Sequence, residues 1–512
     1  MDVSAFQQQL QTMMSGGGNA MNGSMGGTMA EFEALTKALQ AGTNVQGKLT
    51  SDVANLAGGG ALGVQSLDTA MKTTIQENEH FTLFNRLAQS NAINIVDEYS
   101  IQSSVGGHLG GTTNTQMGIV KAANGEYKRE VGFVKFLMTL RQVGYVLNIG
   151  KNIAEPVAIE ERNGALQLLT DANYLLYHGN AEASPTQYDG IVKVLEDHIK
   201  NSTASGEQVY DMQGKPLESI EPFTKIQQVV SSYGSWGQST DVFMPYSVQN
   251  DLNMNLDPAY RWTPAGQNTP MLGGQVDAIR LSKGILRTNV DTFIQDETNP
   301  MVHVFQIKHS AKATENEGIK PDVPTATTKS DASSQFTSGR AGDYYYAVAA
   351  IAANGNGMSP ASITATAVSI KAGEVVTLTI PESPKEKTET GYAIYRSRQA
   401  KTGAASNDLA DMRLVKIIPR TGASTVFTDY NRDIPGTVTV PMLNMAPGAD
   451  AIGWRQFQPM TKIPLPFGVG GMPVMSWFQF LFGYLRVTKP KHHGMIKNVL
   501  PRNAAWRPHI NE

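Results

Sequence analysis

The chain has 512 residues, of which 41% are hydrophobic and only 17% charged, and its formal net charge is −3. That length accommodates about two to four domains, and the near-neutral balance excludes the basic excess on which chain-wide nucleic-acid binding depends. There is no cysteine, which excludes disulfides and thiolate metal sites.

The opening stretch MDVSAFQQQLQTMM has neither the basic nor the apolar region of a secretory leader, and no apolar run is long enough for a membrane span. Residues 1–60 read as a flexible N-terminal segment. GGGNAMNGSMGGT (16–28) has linker composition, and Phe32, Leu35 and Leu39 fall at helical spacing before Gly42. Residues 66–93 read as helical, with Ser66 as a cap. NIVDEYSIQSS (94–104), a Gly/Thr-rich stretch (106–118) and EYKREVGFVKFLMTLRQVGYVL (126–147) predict a long two-stranded hairpin with a mobile tip. Such a ribbon is marginal alone and needs a surface to lie on.

EPVAIEERNGALQLLTDANYLLYH (155–178) predicts the longest helix. Pro156 stands in its first turn, one stripe runs through Leu168, Leu169, Ala172, Leu175 and Leu176, and Gly179 stops it. An α/β unit follows: helix 222–234, buried strand 241–245, helix 246–256 and β-prone runs over 278–289. Composition shifts near residue 318 to Thr, Ser, Ala, Pro and Gly. DYYYAVAAIA, SITATAVSI, EVVTLTI, GYAIYRS, RLVKIIP and STVFTDY then predict an all-β sandwich up to about 440. After that the earlier style returns. FQFLFGYL (478–485) reads as a buried strand, and a basic C-terminal tail follows.

Chemical signatures are sparse. There is no P-loop, no HExxH zinc motif, no nucleophile elbow and no EF-hand loop. FGVGGMP (467–473) lacks dinucleotide-binding spacing and reads as a plain loop. His492 and His493 are adjacent, a poor chelate geometry on a strand, and read as a solvated basic turn. Asp97–Glu98 and Glu160–Glu161 read as strand-surface and helix-start charge. Tyr344 and Tyr346 share a face by alternation and read as packing residues. Catalytic, metal and cofactor sites are all expected to be absent. Arg486, Lys489, Lys491, Lys497, Arg502 and Arg507, set against one acid in 486–512, form either a contact tail for acidic neighbours or DNA, or a solvated tail.

The order of these parts is what carries a resemblance: arm, Gly-tipped hairpin, long helix, the unit TKIQQVVSSYGSWGQSTDVFMPYSVQNDLN and the late strand FQFLFGYLRVTKPKHHGMIKNV. The chain resembles the major capsid proteins of tailed double-stranded-DNA phages, with the α+β Hong Kong 97-type fold. The resemblance implies an N-arm at 60–93, an E-loop hairpin at 94–147, a P-domain at 148–220 with spine helix 155–178, and an A-domain beginning at 221–317. The insert at 318–440 resembles an immunoglobulin-like or fibronectin type III-like β-sandwich, on GDYYYAVAAIAANGNGMS, GYAIYRS and VFTDYN. Residues 441–512 return to the A- and P-domains and end in the basic tail.

It further implies hexamers and pentamers in an icosahedral shell around non-specifically held double-stranded DNA, without a membrane. Scaffold, portal and cement proteins would be partners. The shell would assemble in the host bacterial cytoplasm and the protein would reside in the virion. The insert would be displayed outside, binding glycans weakly, or would brace neighbouring capsomers; if it is decorative, its deletion (321–440) would leave assembly intact. Gly106, Gly107, Gly110 and Gly111 would let the hairpin tip bend. Lys121 and Lys128 lie near the hairpin, but no partner Asn or acid is found for covalent cross-linking. Alternatives are an encapsulin-like shell, a virion adhesin or decoration protein, and an enzyme with an accessory β-domain.

Overall fold

The computed structural model describes residues 82–108, 110–150, 155–201, 208–232, 237–255, 276–291, 293–294, 316–353, 357–401, 403–468 and 471–509. The expected arm, its linker and its helices over 1–60, together with the start of the 66–93 segment, lie outside these residues. All described residues belong to the unit 74–512.

The chain enters through a short helix α1 (Thr82–Arg86) and strand β1 (Ala88–Asn91). The expected helix to residue 93 therefore stops at 86. Residues 88–91 instead pair in parallel with 453–456, because an open sheet edge offers those backbone groups partners that a last helical turn would not. Strands β2 (Val96–Ser104) and β3 (Glu126–Phe133) form the hairpin, and β4 (Lys135–Gly144) leaves it to join another sheet. Residues 145–147, the end of the run read as β-prone, instead begin helix α2 (Tyr145–Ile149).

The long helix α3 (Pro156–His178) begins with Pro156, whose missing N–H costs nothing there. It ends at Gly179, whose N–H returns to Leu175 O at 2.9 Å. A Cβ at 179 would sit 2.1 Å from Tyr188 O, so only glycine fits. Helix α4 (Ile191–Asn201), strand β5 (Val209–Asp211), helix α5 (Glu221–Ser231), strand β6 (Asp241–Met244), helix α6 (Tyr246–Asn255) and the hairpin β7 (Ala278–Leu281) and β8 (Gly284–Val290) follow. A sandwich comes next: β9 (Thr325–Ser330), β10 (Gly342–Tyr344), β11 (Tyr346–Ala352), β12 (Ser362–Ile363), β13 (Val368–Ile370), β14 (Glu374–Pro381), β15 (Glu389–Arg396), β16 (Arg413–Pro419) and β17 (Ser424–Asp429). Strands β18 (Val438–Leu443), β19 (Ile452–Pro464), β20 (Val474–Val487) and β21 (Gly494–Val499) complete the chain.

Two sheets carry the body. One has the order β5-β21-β18-β6-β8-β7; the other is β1-β19-β20-β4. Phe223, Ile226 and Val230 of α5 and Val248 and Leu252 of α6 join Val242, Phe243, Met244, Val440 and Ile496 in one core with no solvent exposure. Burying each such side chain contributes about 1.5–3 kcal/mol. Asp291, just after β8, ties this core to the helices. It accepts from Tyr177 Oη (2.9 Å), Asn173 Nδ2 (3.1 Å) and the Leu83 (3.3 Å) and Phe293 (3.0 Å) amides.

In the sandwich, β12-β11-β15-β16 faces β17-β14-β9, and Tyr346, Val348, Tyr392 and Ile394 meet Val376, Leu378 and Ile380 between them. Tyr344 and Tyr346 are both fully buried, so the packing role expected for them holds. Arg396 is buried with them. It donates to Asp429 and Asn431, both at 2.6 Å, and lies 5.2 Å from the ring centres of Phe336 and Tyr344. Strand β18 pairs with β21 and β6 in the body, so residues 438–440 belong to a body strand and excising 321–440 would cut it.

Sandwich and body meet at a closed ring of four charges. Glu196 (α4) gives one oxygen to Lys416 (β16; 3.2 Å) and the other to Lys497 (β21). Asp433, between β17 and β18, does the same, to Lys416 at 3.0 Å and Lys497 at 2.9 Å. Burial acts to raise the two carboxylates, but Lys497 and Lys416 hold both below the usual carboxylate range. The four side chains are 16–29% exposed, so removing one member costs less than the roughly 3–5 kcal/mol of a fully buried pair.

His493 is not in a solvated turn. It is buried, its Nδ1 accepts from the Asn444 amide at 3.0 Å, and its Nε2 faces Ala451 O at 3.4 Å. Burial pushes its imidazole down to about 4, and the Asn444 bond exists only for the neutral ring. The unfolded chain takes up this proton near pH 6.5. The resulting stabilisation is therefore complete above about pH 6.5 and is lost as pH falls toward 4, a change on the order of 3 kcal/mol. In urea titrations from pH 7.5 to 4.5, His493→Gln should flatten the stability–pH slope relative to wild type. Equal slopes would show that His493 does not carry this term.

Candidate assembly surface

The hairpin is held at its root. Asp97 of β2 accepts a two-pronged bond from Arg455 of β19 (Nε and Nη2, both 2.9 Å) and a third from Tyr484 Oη of β20 (2.6 Å). Arg455 also donates to Ser90 Oγ at 3.0 Å. The Arg455 guanidinium, aided by Tyr484, holds the Asp97 carboxyl below the usual range against its burial. Opposite Asp97 in the register stands Gly132, where a Cβ would lie 2.3 Å from the Tyr484 ring. Asp97, which the sequence suggested was surface charge, is thus an anchor, and Gly132 is the residue that lets the ribbon meet the body.

Beyond the root one face of the ribbon is half-buried at Tyr99, Ile101 and Glu130, with Arg486 over the Tyr99 ring, and the other face is exposed. The exposed face carries Val96, Phe133, Val131 and Tyr127, the last 75% exposed. Nine residues at about 3.3 Å each carry it roughly 30 Å outward. At the tip, Gly106, Gly107 and Gly110 adopt left-handed φ of +86°, +76° and +80°. Gly106 also lies too near Asn124 O for any side chain. Gly111 has no such φ, and its amide closes a turn onto His108 O at 2.9 Å. Val105, Met117, Ile119 and Val120 are all more than four-fifths exposed there.

The second surface is the outer face of β1-β19-β20-β4. Its inner face takes α3: Arg141 donates to Gln167 (2.6 Å) and Glu160 (3.3 Å), Gln479 donates to Glu161 O (3.0 Å), and Lys462 pairs with Glu161 (2.5 Å). Glu160 and Glu161 therefore do more than mark the helix start. On the outer face Phe136, Met138 and Leu140 pair in register with Phe482, Phe480 and Phe478. Phe136 meets Phe482 edge-on at 4.9 Å, and Phe480 stacks on Phe482 at 4.9 Å. Phe136, Met138 and Leu140 remain 46–63% exposed and Phe478 40%. The run FQFLFGYL is thus fully buried on one side, while on the other Phe478 is exposed, Phe480 and Phe482 are half-buried and Tyr484 is covered. At the far end of β4, Tyr145 meets Phe467 at 5.1 Å beside exposed Val146, Leu147, Ile149 and Met472.

The six basic residues near the C-terminus do not share one partner. Arg486 pairs with Asp450 and lies over Tyr99; Lys489 donates to Ala449 O; Lys497 is in the charge ring; Arg502 pairs with Glu218 at 2.6 Å; and Arg507 donates to Arg502 O. Lys491 is exposed in the turn Pro490–His492. The segment is a body strand with docked ends rather than a solvated tail. Near FGVGGMP, the Gly471 amide donates to Gly468 O at 3.0 Å. Among the described residues no group of three or more acidic or His side chains could hold a metal, and no helix is long and apolar enough to cross a membrane.

No protein-family model matches the sequence, and no curated protein matches it. Solved structures similar to it include the capsid of an empty GTA particle, at 7% identity over 87% of this chain and 98% of that one, TM-score 0.45. Another is a chain of Mycobacterium phage Bobi, at 7% identity over 88% and 98%, TM-score 0.40. A third is the holo-SrpI encapsulin complex of Synechococcus elongatus PCC 7942, at 8% identity over 86% and 95%, TM-score 0.37. Within the described chain, the hairpin precedes the long helix, and each of the two body sheets combines strands from before and after the sandwich.

Asp97→Asn should weaken the root by about 2 kcal/mol, the scale of a hydrogen bond to a charged group. In unassembled protein, trypsin should then cut after Lys128 and Arg129 severalfold faster than in wild type. Unchanged cleavage would mean that the ribbon is held elsewhere.

Proposed function

We propose that this chain is a shell subunit of the tailed-phage major capsid type, assembling into a closed icosahedral particle around double-stranded DNA. The observation that carries this reading is the pairing, on one subunit, of an anchored ribbon with one fully exposed face and an open aromatic sheet face. A two-stranded ribbon with apolar flanks is marginal in water, and contiguous exposed apolar surface of this kind marks protein contact. Ribbon and sheet face are different patches, so copies joined through them make a heterologous contact that closes into rings. Hexamers and pentamers are such rings. The tip glycines Gly106, Gly107 and Gly110 permit the hairpin to bend as rings shift within a shell.

In this reading the subunit acts by assembly, not by catalysis. It resides in the virion after assembly in the host cytoplasm, with scaffold, portal and cement proteins as partners. The sandwich lies on the outer surface, where many copies convert weak glycan binding into avidity. The small net charge of −3 suits an inner wall that contains DNA without gripping it.

The full chain, expressed alone and with a scaffold, is to be sized by light scattering and negative-stain microscopy beside a Phe136→Asp/Phe478→Asp variant. Both positions are exposed, so the variant should keep wild-type circular dichroism and thermal midpoint. Wild type should give closed particles and the variant only soluble small species. Particles from the variant would overturn the sheet face as a contact, and wild type that stays monomeric with scaffold would overturn the shell reading. Particles isolated from the native source should contain double-stranded DNA. A protein cargo in its place would move the assignment to an encapsulin-like compartment.

A further inference from the structure

The last described residues leave β21 and cross from the body onto the sandwich. On the body side, the Arg502 amide donates to Asp251 Oδ2 (2.7 Å) and its Nε to Glu218 (2.6 Å). Four residues on, Trp506 is almost fully buried. Its Nε1 donates to Asp411 O, before β16, at 2.9 Å. The guanidinium groups of Arg398 and Arg413 lie 5.6 and 5.3 Å from its ring centre. The ring also presses on Gly436, where φ is +73° and a Cβ would stand 2.5 Å from it. Pro508 O then accepts from the Gln399 amide at 2.9 Å. His509, also buried, places Nδ1 3.4 Å from the Tyr344 hydroxyl. That hydroxyl donates to Arg340 O at 2.6 Å.

We infer that residues 501–509 are a clasp that fixes the orientation of the sandwich on the body. Elsewhere the charge ring holds the sandwich at β16, Thr390 of β15 donates to Ala183 O at 2.6 Å, and Arg340 donates to Gln213 O. The clasp adds contacts around Tyr344, Gln399 and Asp411. A bulky aromatic anchor between two guanidinium groups suits this role, because it combines a large buried area with a directed N–H bond. The sandwich is therefore carried as a rigid part of the subunit, and loss of the C-terminal residues converts it to a tethered one.

The test compares the full chain with a variant ending at Asn503 and with full-length Trp506→Ala, by hydrogen exchange. Both variants should show about tenfold or faster exchange at amides 342–347 and 397–412. The strand amides of β14 and β17 in the sandwich, and of β6, β18 and β21 in the body, should keep wild-type rates. Unchanged exchange throughout both variants would overturn the clasp, since the ring and connections would then suffice. Equal acceleration in body and sandwich would also overturn it, because the segment would be part of the shared core.

Discussion

The three bonds that Asp97 accepts from Arg455 and Tyr484 are the interaction on which the proposed role of this subunit turns. Distal to them, β2 and β3 are a two-stranded ribbon with one face open to solvent and the other half-buried, Arg486 lying over Tyr99. A ribbon of that kind has no core of its own, and its direction is set near the root. The bidentate guanidinium–carboxylate geometry defines an angle as well as a distance. Gly132 removes the side chain that would otherwise hold the ribbon away from Tyr484. The anchor thus turns a marginal element into a directed arm, and the aromatic face formed by Phe136, Phe478, Phe480 and Phe482 gives the same subunit a second patch for a neighbour.

The sandwich poses the opposite problem. It has its own core, with Arg396 satisfied inside it, and needs no neighbour to stay folded. What needs specification is its orientation. Buried ionic groups are weak sources of net stability but have defined partners, so a ring in which each carboxylate uses both oxygens fixes one arrangement. Glu196, Lys416, Asp433 and Lys497 come from four separate stretches of chain. The ring closes only when helix α4, the sandwich edge strand β16, the returning segment and β21 are all in place.

Much of the architecture was legible because local pattern and global fold agree. The stripe from Leu168 to Leu176, with Pro156 and Gly179 at its ends, marks α3 almost to the residue. The alternating runs mark β2, β3 and the sandwich strands, and VFM marks β6; but the run 126–147, read as one side of the hairpin, leaves it after Phe133 as β4. The misses share one cause: long-range partners that no local pattern reveals. Residues 88–91 become a strand because an edge 365 positions later is open to them. His493 is a core residue because Asn444 and Ala451 enclose it. Lys497 is a link in a ring because Glu196 and Asp433 come to it from far along the chain. The open face of FQFLFGYL was hidden for a different reason: apolar residues on both sides of a strand look the same whether the second side meets the protein's own core or another copy.

The most direct test of the central claim is hydrogen exchange of the hairpin in assembled and dissociated protein. If the ribbon lies on a neighbouring subunit, amides of 96–104 and 126–133 should exchange rapidly in the dissociated chain and become strongly protected in the particle, with α3 protected in both. Hairpin exchange equally fast in both states would show that the ribbon has no neighbour to lie on, and would contradict the account.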